Sequence, residues 1–361
     1  MEQRKEKHLS ICTDPSRFQV EGAGAGFDGV RFVHVALPEM AEPEIDTSVE
    51  LFGRRVPLPF FISCMTGGSE GGFRANHLLA EAAQALGIPV GVGSIRVLLK
   101  NPDLFEHFHI KPTARDVPVL ANIGAVQVRD EERTRLLDLA VRLEAQALVV
   151  HLNPGQELFQ EEGDRDFRGL KDAIARLCDQ SPLPIIVKET GFGILPDLAR
   201  ELLDAGAAYV DLAGAGGTNW ISVESYRLPE QERAVAREFS DWGIPTAILL
   251  ADMGGDRGRV IASGGIRSGM DAAKALAMGA ALCGFALPVI RAVTDAGVPA
   301  VIEIFHRMEK TLRTAMLLTG SRTIADLQRG VLWREPSFTA RVESFHRAAH
   351  DGARVGGGGE D

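Results

Sequence analysis

The stretch HLNPGQE, residues 151–157, follows an apolar run ALVV and gathers His151, Asn153, Gln156 and Glu157 at one place. An imidazole, two amides and a carboxylate can together bind an anion, hold a hard cation and guide a proton. A second unusual position is Lys188, which ends the apolar run of PIIVKET. An ammonium left unpaired in an apolar site costs several kcal/mol, so Lys188 needs either a structural ion pair with its neighbour Glu189 or a bound anion. Late in the chain the glycine-rich stretches GAGGT (214–218) and ASGGIRSG (262–269) precede GFAL (284–287). Glycine lets backbone N–H groups close on phosphate oxygens, although ordinary turns use it as well.

Residues so far apart need a scaffold that collects them. Eight short apolar runs alternate with helical patterns: LPFFISCMT (58–66), PVGVGS (89–94), PVLANIG (118–124), ALVVHLN (147–153), PIIVKET (184–190), AYVDLAGAG (208–216), RVIASGG (259–265) and ALCGFALP (281–288). Between them, stretches such as ANHLLAEAAQALG and DAAKALAMGA carry apolar residues at helical spacing. The alternation predicts an α/β fold, a TIM (β/α)8 barrel over residues 58–335. An N-terminal arm, residues 1–57, precedes it, and a C-terminal helical extension follows. The tail 336–361 is expected to be partly disordered, above all in GGGGED, and a long loop and helix are expected over about 220–245. In this fold catalytic residues sit at the carboxyl ends of the strands, and the loops after strands seven and eight commonly hold a phosphate. Solvated loops alone would scatter Asp, Lys and Ser there at random. They do not readily explain Lys188 or an amide-rich HLNPGQE.

Composition narrows the classes. The 361 residues are 45% hydrophobic and 24% charged, with a net charge of −10. A globally negative field disfavours nucleic acid and anionic membranes, so a phosphate-bearing ligand needs local cations or backbone donors. Cys12, Cys64, Cys178 and Cys283 are too scattered for a metal motif and read as reduced thiols of a cytoplasmic protein. No run approaches the roughly 20 apolar residues that span a bilayer. Arg4, Lys5 and His8, in the opening RKEKH, read by themselves as a solvated terminus.

A cofactor phosphate suits the glycine loops. A reduced flavin, negative at its pyrimidine edge, suits Lys188, with Thr66, Ser94 and Asn122 at neighbouring strand ends as hydrogen-bonding partners. At this point a resemblance becomes specific. RKEKHL (4–9), MTGG (65–68), GSIR (93–96), NIGAVQ (122–127), HLNPGQE, VKETGFG (187–193), AGAGGTNW (213–220) and ASGGIRSG resemble, in order and over nearly the whole chain, the type 2 isopentenyl-diphosphate isomerases. That family implies an FMN-dependent barrel that interconverts isopentenyl and dimethylallyl diphosphate with reduced FMN and Mg²⁺. It further implies NADPH as reductant and a homotetramer or homo-octamer.

Carried over position by position, the resemblance implies FMN contacts at Cys64, Met65, Thr66, Ser94, Asn122 and Lys188. It adds Thr218, Gly264, Gly265, Ala286 and Leu287. Arg4, Lys5, His8, Arg96 and His151, with Thr190, would bind the substrate diphosphate. Gln156 would act near the reacting carbons, Glu157 would hold Mg²⁺, and Asn153 would support both. Lys188 and Gln156 are the expected catalytic residues, and Trp220 and Met65 are candidate pocket walls. Two positions depart from the family pattern. Cys64 stands where a small Ala is usual and could alter flavin packing or invite oxidation; Gly155 stands where a larger residue is common and could loosen the Gln156 loop. Two rivals remain: an FMN oxidoreductase of the hydroxyacid-oxidase type, and a flavin- or phosphate-binding protein without catalysis.

Overall fold

The computed structural model describes residues 2–254 and 257–353. Eight parallel strands close into a barrel in chain order: Phe60–Ile62, Val90–Ser94, Val119–Gly124, Ala147–His151, Ile185–Lys188, Tyr209–Asp211, Val260–Ala262 and Leu282–Phe285, the last pairing with the first. Each expected run contains one of them. Several are shorter than the run around them, because the polar or glycine-rich ends belong to loops. After Asp211, for example, Ala213 turns to a φ of 41° and ends the sixth strand.

The strands are apolar on both faces because both are covered. Inward, Phe61, Leu120, Val149, Ile186, Ile261 and Leu282 fill the barrel; outward, the strands pack against the surrounding helices in one continuous core. The arm reaches both ends of the barrel. Its antiparallel hairpin, Val49–Leu51 with Arg54–Val56, inserts Leu51 and Val56 into the inner cluster and sets Phe52 against Tyr209, the first residue of the sixth strand, closing the amino end. Its first helix, Glu2–Thr13, packs on helices Glu70–Leu86 and Leu287–Leu318 and brings Arg4, Lys5 and His8 to the opposite, carboxyl end.

Beyond the barrel, helix Pro336–Ala353 packs on helix Thr246–Asp252, and strand Leu332–Arg334 pairs antiparallel with Val30–Phe32. GGGGED lies outside the described residues. The segment 220–245 holds two short helices, Trp220–Ser225 and Glu230–Arg237, rather than one. Among the described residues no helix is long and apolar enough to cross a membrane.

Candidate active site

Parallel pairing sets His151 level with Lys188, and Lys188 level with Asp211, at the carboxyl ends of strands four, five and six. Above them lies a cavity of about 240 Å³, and every residue assigned to the cofactor, substrate or metal lines it, from Arg4 on the arm to Leu287 after strand eight. No predicted site residue falls elsewhere.

One side of the cavity is backbone. Gly264 and Gly265 have φ of +89° and +78°, a region that side chains rarely adopt. A Cβ on Gly264 would collide with the Gly214 carbonyl oxygen, and one on Gly265 would stand 2.6 Å from the Gly216 carbonyl carbon. The loops after strands six and seven are therefore pressed together, with Thr218 beside them. Ala286, which lines the cavity, begins the helix after strand eight without a side-chain cap; Pro288 has no N–H and the Val289 and Ile290 N–H groups close on the Ala286 carbonyl oxygen. Arg267 is held nearby by Glu21, which also pairs with Arg291.

Lys188 is buried, and its ammonium donates to the Glu189 carbonyl oxygen at 2.8 Å. The structural ion pair with Glu189 does not form. That carboxylate instead accepts the N–H groups of Gly191, Phe192 and Gly193 at 2.6, 2.5 and 3.1 Å, while burial pushes its pKa up. Among the described residues Lys188 has no ion-pair partner, so its charge faces the cavity. The hydroxyl of Thr190 is also buried there without a partner among the described residues. A backbone cradle at one end and an unneutralised ammonium near the axis fit a flavin mononucleotide, phosphate in the cradle and pyrimidine edge at Lys188.

The other side is made of side chains. Lys5 donates to the Ser94 carbonyl oxygen at 3.2 Å and lies 5.1 Å from the centre of the Phe108 ring. Burial, then neighbouring Arg4, lowers its pKa to about 7. Arg4 is lowered as well, by burial against the opposing pull of Glu224 and Glu157, and its Nε has no partner among the described residues. Arg96 stands 3.7 Å from Asp164. His151 pairs through Nδ1 with Asn122 Oδ1 at 3.0 Å; since an amide oxygen only accepts, Nδ1 carries the proton. Burial, followed by Lys188, Arg96 and Lys5, lowers its pKa to about 3, so the imidazole is neutral. Arg4 and Lys5, with Arg96 shared with Asp164, form a cup for a strongly anionic group.

Gln156 is fixed at both ends of its amide: Oε1 accepts from Asn153 at 3.1 Å and Nε2 donates to Glu224 at 3.0 Å. Glu224 was missed by sequence reasoning. It is wholly buried in helix Trp220–Ser225, where it also pairs with His8 at 2.9 Å and with Arg227. Burial opposes its charge, but His8, Gln156 and Arg227 outweigh it and hold its pKa down. Its only sequence signal is a carboxylate inside the apolar stretch WISVES.

Glu157 is buried and accepts from Asn153, Gln160 and the Asp164 N–H, all neutral donors, at 3.0, 3.3 and 2.9 Å. Among the described residues it has no ion-pair partner, and no three His, Cys, Asp or Glu residues cluster as a self-sufficient metal site. A single available carboxylate fits a Mg²⁺ ion that takes its other ligands from water and phosphate oxygens.

The two departures from the family pattern have physical readings. A Cβ on Gly155 would come within 2.8 Å of the Phe192 ring, so glycine here accommodates Phe192. The Cys64 thiol lies deep in the barrel, and burial pushes its pKa up to about 12; it stays protonated, which argues against easy oxidation.

A closed parallel barrel with a glycine cradle and a buried strand-five lysine defines the class of FMN-dependent barrel proteins. The family model described as FMN-dependent dehydrogenase matches residues 17–99 and 116–334. The chain is 46% identical to an isopentenyl-diphosphate delta-isomerase of Pseudescherichia vulneris, over 90% of this chain and 95% of that one. It is 42% identical to proteins of that name from Borrelia garinii, over 95% and 96% of the two chains, and Methanoregula boonei, over 91% and 93%. The chain belongs to the isopentenyl-diphosphate delta-isomerase family, within the FMN-dependent barrels. Solved structures include a refolded Pediococcus acidilactici protein assigned as a lactate oxidase, with TM-score 0.66, 19% identity and coverage of 92% and 93%. A mandelate oxidase variant with benzaldehyde has TM-score 0.63, 20% identity and coverage of 92% and 98%. At that identity they share the fold alone.

Proposed function

We infer that the protein interconverts isopentenyl and dimethylallyl diphosphate by adding a proton at one allylic carbon and removing one at the other. The observation that carries this reading is that Gln156, Glu157 and the cations of the arm line the same cavity as Lys188 and the glycine cradle. Such a site takes a cofactor and an anionic substrate side by side.

The bound cofactor would supply an electron-rich ring able to exchange a proton with the alkene and stabilise adjacent positive charge. Lys188 would hold its negative edge. Arg4, Lys5, His8 and Arg96 would bind the diphosphate, whose charge would also favour protonation of His151. Glu157 would hold Mg²⁺, which would offset the negative charge of the diphosphate. Gln156, locked by Asn153 and Glu224, would present its amide to the hydrocarbon at a fixed angle. Trp220, in edge contact with His8 at 5.4 Å, and Met65 would wall off water, which traps cationic species. NADPH as reductant, a homotetramer or homo-octamer and a cytoplasmic setting belong to the same reading. The unpaired state of all four cysteines supports the last of these. The hydroxyacid-oxidase rival has the broad FMN-dependent dehydrogenase family match and a shared fold at 19–20% identity behind it, whereas relatives at 42–46% identity over most of the chain are named as isomerases.

Anaerobic incubation with isopentenyl diphosphate, reduced FMN and Mg²⁺ in deuterated water tests the reading. Dimethylallyl diphosphate carrying deuterium is expected, and its absence would end the proposal. Lys188→Ala should lower turnover about 10²- to 10³-fold, the scale of removing one preorganised electrostatic contact, while the fold persists. A near-native rate with FMN bound would remove Lys188 from the mechanism.

A further inference from the structure

We propose that Arg165, acting with the turn 160–164, is a positioning residue that sets the Glu157 carboxylate for a divalent cation carried by the substrate diphosphate. The proposal rests on the reading of Glu157 as the cation's anchor.

The turn folds straight back onto Glu157. Arg165 donates to the Glu157 carbonyl oxygen and, at 3.0 Å, to the Gln160 carbonyl oxygen. Gly163 N–H closes on Gln160 O at 2.9 Å, and a Cβ on Gly163 would collide with the Glu157 carbonyl oxygen. The next residue, Asp164, gives its N–H to Glu157 Oε2 at 2.9 Å. Backbone and carboxylate of Glu157 are thus both fastened by the segment that follows it.

The choice of acceptors matters most. Arg165 lies close to a buried carboxylate yet spends its donors on carbonyl oxygens and makes no ion pair among the described residues. The turn therefore orients Glu157 without neutralising it. An ionised carboxylate offers roughly four acceptor positions; Asn153, Gln160 and the Asp164 N–H occupy three. One direction remains, so the cation would be held by a single, preset oxygen. Arg165 itself lines a separate surface groove with Leu158, Phe159, Glu232 and Val235, so replacing it leaves the cavity lining unchanged.

The test is calorimetric binding of inorganic pyrophosphate to the FMN-loaded protein with and without Mg²⁺. In the unsubstituted protein Mg²⁺ should tighten binding. Arg165→Met and Gly163→Ala should each cut that enhancement about 10-fold or more, the usual effect of losing a group that orients a metal ligand. In Arg165→Met the Mg²⁺-free affinity should stay within about twofold, since Arg165 contacts carbonyl oxygens and none of the diphosphate cations, whereas Gly163→Ala also moves Asp164, the partner of Arg96. Arg165→Lys should recover only part, because an ammonium lacks the planar fork that reaches both carbonyls. If Glu157→Gln abolishes the enhancement while Arg165→Met and Gly163→Ala leave it intact, the proposal is overturned and the anchor role of Glu157 stands. If none of these variants, Glu157→Gln included, changes it, both fail. An equal loss of affinity with and without Mg²⁺ in Arg165→Met would mark general structural damage and overturn the proposal too.

Discussion

The two sides of the cavity handle negative charge by different means. Around Gly264, Gly265 and Ala286 the donors are backbone N–H groups set by the barrel loops. Around Arg4, Lys5 and Arg96 they are long side chains, some of them reaching in from an arm outside the barrel. A backbone cradle loses little entropy on binding because its atoms are already ordered, which suits an occupant that stays. Flexible cations lose more, but the charge of Arg4 and Lys5 is only partly offset until an anion arrives, and Arg96 can exchange Asp164 for it. That suits a substrate that must also leave.

The largest expected effect follows from the rigid side. Gly264→Val places a branched side chain where even a Cβ would collide with the Gly214 carbonyl oxygen, at a φ of +89°. The strand-six and strand-seven loops must separate, and the variant should purify without flavin and without activity. Flavin absorbance of the purified protein checks this. Normal FMN content would mean that the tight packing of these loops is not what holds the cofactor.

The same contrast explains what could be read in advance. The eight strands were legible because a barrel buries both strand faces, leaving apolar runs such as ALVV and PIIV. The cradle was legible because its chemistry is glycine at fixed places after strands six and seven. The arm was not: RKEKH is chemically a solvated terminus, and only the resemblance assigned Arg4, Lys5 and His8 to the site. Glu224 stayed hidden because its role comes from tertiary packing, with His8, Gln156 and Arg227 meeting it from other segments or the next turn. The Arg165 turn was equally silent, since donation to carbonyl oxygens leaves no residue-type signature.

A pH measurement sharpens the flexible side. Burial, then Arg4, pulls the Lys5 pKa down from its ordinary 10.5 to about 7 in the folded protein. Between those values the unfolded chain holds more protons, so this residue makes stability rise with pH across the window. Anion binding has the opposite sign. It needs the charged amine, so pyrophosphate affinity should fall above about pH 7, by up to about tenfold per unit where one proton is taken up. Lys5→Met should flatten that slope and weaken binding at neutral pH by about tenfold to hundredfold, the worth of a charge-assisted hydrogen bond. Calorimetry across pH checks both, and an unchanged slope would take Lys5 out of the anion cup.

The smallest effect is expected on the floor between the two sides. Cys64 sits in the combined field of Lys188 and Asp211, whose influences on its thiol oppose each other, and burial keeps the thiol protonated with a pKa near 12. It bears no charge that either side needs. Cys64→Ala removes one sulfur atom from a position already open to the cavity, so relaxation is easy and the cost should be about 1 kcal/mol or less in stability. Turnover should stay within about threefold of the parent, since that change in barrier is below about 1 kcal/mol. Paired melting and rate measurements decide the point. A larger loss of rate with unchanged melting would show that the thiol contacts the reacting groups, and the neutral floor separating the rigid and flexible sides would have to be redrawn as a third functional region.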